Sequence, residues 1–135
     1  MSYKIEDVEG IGASYGEKLR EAGLQSTGDF LEKCKTPQGR KTVAESTGIS
    51  DKLILRWANL SDLMRISGIG PQFSELLEAA GVDTVKELKH RNAENLAEAM
   101  EKINGEKKLA RTSPAAKTVA EWIEQAKSME PGIEY

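Results

Sequence analysis

The chain has little of what usually announces an activity. Its one cysteine, Cys34, excludes an internal disulfide and suits a reducing compartment. Its one histidine, His90, leaves too few ligands for a zinc site and no signature of a thiol mechanism. Lys and Arg number 19 against 22 Asp and Glu, a net charge of −3, so the basic footprint of a strong nucleic-acid binder is absent. No apolar run approaches the roughly 18 residues of a membrane span. The opening Met-Ser-Tyr-Lys-Ile-Glu-Asp lacks the apolar region of a secretion signal, and a cytoplasmic protein is expected. There is no P-loop, Rossmann fingerprint or nucleophile elbow. Carboxylates are plentiful but fall at helical surface spacing. The expectation is a non-catalytic protein with no small-molecule substrate.

Sustained two-residue alternation is also missing, as is any Asn-Gly turn, so no sheet is predicted. Aromatics make up 5% of the chain while Leu, Ala, Glu and Lys abound, a composition that favours helices. At 135 residues the chain is one compact domain or two small halves sharing a core.

What is present is a repeat. Ile66-Ser67-Gly68-Ile69-Gly70-Pro71-Gln72-Phe73 leads into Leu77, Ala80, Gly81 and Val82. Fifty-eight residues earlier the chain reads Val8-Glu9-Gly10-Ile11-Gly12-Ala13-Ser14-Tyr15, then Leu19, Ala22, Gly23 and Leu24. Gly-Ile-Gly, a Glu, a Leu and Ala-Gly match by identity. Tyr15 and Phe73 match as aromatics, Gly16 and Ser74 as small residues. Trp57 and Trp122 fall at similar points of the two halves and are read as core residues. An internal duplication is expected, with units at 1–60 and 61–135.

Each unit is read as two helices joined by a tight hairpin. Ile11 and Ile69 point inward as apolar plugs. The first unit should run through a short helix at 3–8 and helices from Ala13, Ser26, Pro37 and Ser50. Ser61-Asp62 should start the second, with a short helix carrying Leu63 and Ile66. Helices at 71–80, from Thr84 with Glu87 as a capping box, from Asn92 to Gly105, and from Ser113-Pro114 toward Pro131 complete it.

The free N–H groups at the start of the helix after each hairpin suit anions, phosphate above all. Lys33, Lys35, Arg40 and Lys41 form one basic cluster. Lys86, Lys89, His90 and Arg91 form a second, and Lys102, Lys107, Lys108 and Arg111 a third. They are read as solvated faces, with a basic strip beside a hairpin as the alternative.

The two Gly-Ile-Gly stretches resemble the helix-hairpin-helix motif of DNA repair, recombination and replication proteins. The paired arrangement resembles tandem helix-hairpin-helix domains. Across nearly the whole chain, the Gly48-Ile49-Ser50 turn, Trp57 and the 61–70 segment are similar to an uncharacterised family of such proteins. The resemblance implies an all-α fold of two duplicated units packed into one compact helical domain. It also implies sequence-independent contact with the phosphates of duplex DNA. Carried onto this chain, the contacts would come from Gly10, Ile11, Gly12, Ala13, Ser14 and Lys18, and from Gly68, Ile69, Gly70 and Gln72. Pro71 cannot donate and would only shape its site. A monovalent cation on the hairpin carbonyls is a further implication. The chain departs from the motif at Ser14 and Gln72, where the DNA-binding version often has Lys or Arg. Glu17, Glu75 and Glu78 follow within a turn or so, and acidic groups oppose phosphate at close range. The alternative is a protein-interaction or scaffold module that has lost DNA binding.

Overall fold

The computed structural model describes residues 2–135. A 3₁₀ turn, Ile5–Asp7, precedes eight α-helices. They are α1 (Gly12–Glu21), α2 (Thr27–Cys34), α3 (Pro37–Thr47), α4 (Asp51–Leu63), α5 (Pro71–Ala79), α6 (Val85–Leu88), α7 (Ala93–Lys107) and α8 (Ala116–Lys127). The described residues form no sheet, only an isolated bridge between Lys4 and Ser26. None of their helices is long and apolar enough to cross a membrane.

Local chemistry starts most of these helices. Ser26, Thr36, Ser50, Thr84 and Asn92 each accept a hydrogen bond from the backbone N–H three residues on. Each such cap is worth about 1 kcal/mol. Pro37 and Pro71 stand in the first turn of α3 and α5, where a missing N–H costs nothing.

Two apolar clusters form the interior. One gathers Ile5, Val8, Ile11, Leu19, Phe30, Val43, Ile54, Trp57, Leu60 and Met64. The other gathers Leu63, Ile66, Ile69, Leu76, Leu77, Val85, Leu88, Met100, Val119 and Trp122. The end of α4 serves both: Leu60 and Met64 enter the first cluster, Leu63 and Ile66 the second. That geometry corrects the reading of Ser61-Asp62 as a helix start. Both residues are buried inside the last turn of α4, which runs through without a break. No short helix follows it, because Leu63 is the last residue of α4 and Ile66 lies in the turn after it.

Four further boundaries differ from expectation. The helix expected at 3–8 is only the three-residue 3₁₀ turn. The first long helix starts one residue early, at Gly12. Helix α7 passes through Gly105 to Lys107, and Lys108 takes the left-handed conformation at φ 53°. Asn104 holds that end: its side-chain oxygen accepts from Ala110 N at 2.9 Å and its amide donates to Ser113 Oγ at 3.2 Å. Helix α8 begins at Ala116, not at Pro114, and ends at Lys127.

Asp62 is the polar centre of the seam. It is fully buried, and its Oδ1 lies 2.6 Å from Arg65 Nη1. Its Oδ2 accepts from Val85 N at 2.8 Å, which satisfies the start of α6. Removing the carboxylate would leave a buried N–H and a guanidinium without their partner. Asp62→Leu is therefore expected to lower unfolding free energy by roughly 3–5 kcal/mol in urea denaturation. A loss below about 1 kcal/mol, the level of a surface ion pair, would contradict this role.

Candidate functional site

The two hairpins share their central turn and part at the second glycine, where Gly12 holds φ 62° inside α1 and Gly70 holds φ −96° ahead of α5. Ile11 N donates to Val8 O at 3.1 Å, and Ile69 N donates to Ile66 O at 3.1 Å. Gly10 and Gly68 hold φ of 94° and 100°, a region that side-chain-bearing residues rarely adopt. Both are also crowded. A Cβ on Gly10 would stand 3.4 Å from Trp57 Nε1, and one on Gly68 2.9 Å from Trp122 Nε1. Behind each hairpin the tryptophan meets the aromatic of the next helix. Tyr15 and Trp57 have centroids 5.1 Å apart at 60°, and Phe73 and Trp122 5.3 Å apart at 54°. Trp57 and Trp122 are thus packing residues, 0% and 2% exposed. Ile11 and Ile69 are buried plugs, so only their main chain could meet a ligand.

The helices that leave the hairpins lack the side-chain caps seen elsewhere. Neither Ile11 nor Gly70 has a side-chain cap bond among the described residues. Helix α8 shares that lack at Ala115. At the first hairpin Gly10, Gly12, Ala13, Ser14 and Lys18 are all exposed. At the second, Gly68 and Gln72 are exposed and Gly70 is half-buried.

The mouths differ in what faces them. Gly68, Gly70, Pro71, Gln72 and Phe73 line a cleft of ≈ 640 Å³. The rest of its lining is Glu6, Asp7 and Glu9 from the other half of the chain. Among the described residues, no lysine or arginine lines it. The Tyr3 hydroxyl lies 3.7 Å from where a Cβ on Gly70 would stand. Unscreened carboxylates repel phosphate by about 1 kcal/mol per pair at 4 Å in water, and by more near a protein surface.

More acid lies along the same seam. Burial pushes the Glu75 carboxyl up from its ordinary range; Glu9 adds to this, Arg56 opposes it and Glu78 adds again. Arg56 crosses the seam. Its Nη2 lies 3.0 Å from Glu78 Oε1, and its Nη1 is 3.1 Å from the Cβ position of Gly10. The Arg20 guanidinium hydrogen-bonds Glu6 at 2.5 and 2.6 Å and holds that carboxyl down at about 2.

Most members of the basic clusters are exposed, Lys33, Lys35 and Lys41 of the first among them. Arg40 leaves the first: it is 8% exposed and donates to Cys34 O, Lys35 O and Glu134 O at 2.8–3.1 Å. Arg91 in the second is tied to Glu87 at 3.0 Å. In the third, Lys102, Lys107, Lys108 and Arg111 remain solvated. Cys34 is fully buried, and burial pushes its thiol up to about 12, so it carries no nucleophile at neutral pH.

The family model for a domain of unknown function, DUF4332, matches residues 9–129, which takes in both hairpins and both tryptophans. The chain belongs to the DUF4332 family. No curated protein and no solved structure matches it. In this DUF4332 chain the acidic wall is what residue-by-residue reasoning missed. Glu6, Asp7 and Glu9 sit too far along the chain from Gly70 for any local pattern to join them, whereas Glu75 and Glu78 follow it closely enough to be read from the sequence.

The Glu6–Arg20 pair has a pH signature. The folded-state pKa is depressed, so its contribution to stability is present above the ordinary value of 4.5 and is lost as pH falls toward about 2. Arg20→Gln should move the Glu6 carboxyl titration, followed by ¹³C NMR, upward from about 2 toward 4.5. An unmoved titration would mean that Arg20 is not its cause.

Proposed function

We propose that this DUF4332 chain is a non-catalytic tandem helix-hairpin-helix module, duplicated at 1–60 and 61–135, that acts by docking a protein partner. One observation carries the reading: the second hairpin's mouth shares its cleft with Glu6, Asp7 and Glu9. A duplex clamp needs both mouths to take phosphate, since each touches one strand across the minor groove. Here one mouth shares its cleft with Asp7 and Glu9, and with Glu6 paired to Arg20, so the charge around it opposes phosphate. A positively charged segment of a partner protein meets both halves of that lining, with carboxylates for its ammonium or guanidinium groups and Phe73 for an apolar stem.

A second reading keeps a specific observation in its favour. The first mouth is open, with Gly12, Ala13 and Ser14 exposed and Lys18 exposed one turn on. That supports weak, sequence-independent contact with duplex DNA, with a monovalent cation on the hairpin carbonyls as its accompaniment. Such contact would fall at roughly 10⁻⁴ to 10⁻⁶ M and would weaken steeply with salt.

Titration of the ¹⁵N-labelled protein separates the two. A Lys-rich probe peptide is expected to shift the amides of Gly68, Gly70 and Gln72, and the shifts should vanish in Asp7→Asn/Glu9→Gln. A short duplex is expected to produce no saturable shifts at low salt. Saturable duplex binding that Gly12→Asp with Gly70→Asp abolishes would overturn the protein-docking reading in favour of the DNA one.

A further inference from the structure

The last five residues of the sequence, Pro131-Gly132-Ile133-Glu134-Tyr135, leave the second half of the fold and lie on the first. Helix α8 ends at Lys127, and residues 131–135 have no helix of their own. Their contacts follow one another residue by residue. At Gly132 a Cβ would overlap the Asp62 carboxylate, so the backbone lies directly against it. Ile133 is 5% exposed and belongs to the first apolar cluster with Phe30, Cys34 and Val43. Glu134 N donates to Lys35 O at 2.7 Å, and Arg40 Nη2 donates to Glu134 O at 2.8 Å. The Tyr135 ring is exposed, yet its hydroxyl donates to Asn59 Oδ1 at 2.8 Å, and the Arg40 guanidinium lies 5.9 Å from the ring centroid.

Apart from Asp62 near the end of α4, the receiving groups belong to the first half, in or next to α2, α3 and α4. Arg40 Nη1 also donates to Cys34 O and Lys35 O, neither of them in the tail. Its remaining donor meets the tail. An aliphatic pocket, a backbone pair and a side-chain amide, spaced along an extended strand, are the elements of an extended-peptide site.

We propose that residues 131–135 are a peptide ligand bound in cis, and that the site they fill takes the same segment of a second copy once the cis tail is displaced. The tether explains the closed form. A segment joined by the short 128–130 connection competes at an effective concentration in the millimolar range. An untethered segment therefore finds the site filled. Ile133 is the one apolar side chain the tail buries, so the tail is held mainly by that side chain and a few polar contacts.

The test uses the full chain with Ile133→Asp, which removes the apolar contact but keeps every receiving group. The probe is a fluorescent synthetic peptide of the sequence 130–135. The wild-type chain should not bind it. The variant, folded by circular dichroism, should bind it saturably, and the Asp-substituted peptide should bind at least about tenfold more weakly. Cys34 should react faster with a maleimide in the variant, and the peptide should slow it again. Glu134→Pro, which removes the Glu134 N–H donor, should give the same pattern. Folded variants that leave Cys34 protected, or that expose it without binding the peptide, would overturn the proposal. Unfolding of both variants would make the tail an integral part of the core and overturn it equally.

Discussion

A single buried carboxylate links the parts of this protein. Asp62 closes α4 against Arg65, receives the first N–H of α6, and leaves room beside it only for the bare backbone of Gly132. Arg65 in turn donates to Glu130 O at 3.0 Å. A charge so deep is tolerable only because its lone pairs are met from several directions. The same constraint explains why α4 does not break at position 61. A helix start there would need Ser61 and Asp62 at the surface, and both apolar clusters require the side chains around them to face inward.

The two hairpins show how equal local chemistry acquires unequal surroundings. Their first glycines, plugs and tryptophan contacts correspond, while the second glycines part, Gly12 at φ 62° and Gly70 at φ −96°. The partner each mouth meets differs as well. The second faces the 3₁₀ turn of the other half and its carboxylates. The first opens outward beside Lys18. Arg56 ties the seam by meeting Glu78 while standing over Gly10. Electrostatic character at the mouths is therefore a property of the packed pair.

Much of the fold was legible because its signals are short-range. The caps at Ser26, Thr36, Ser50, Thr84 and Asn92 each act over three residues, and each is where the sequence places it. The plugs Ile11 and Ile69 follow from glycines on either side. The misplaced boundaries share a cause. Gly105 looked like a stop, but Asn104 reaches Ala110 and Ser113 and lets the helix run on to Lys107. Arg40 looked like part of a solvated basic face, but three carbonyls, one of them ninety-four residues away, draw it inward. Interactions of that range leave no periodicity to read.

By itself the sequence determined that the chain is helical and where most helices begin. Those are consequences of backbone conformation and of hydrogen bonds over three or four residues. Only the tertiary structure decided that one Gly-Ile-Gly corner would meet carboxylates, that Asp62 would be buried and that Ile133 would return to the first core. Charge and burial depend on which distant segments pack together, and that choice is made by the whole apolar interior at once.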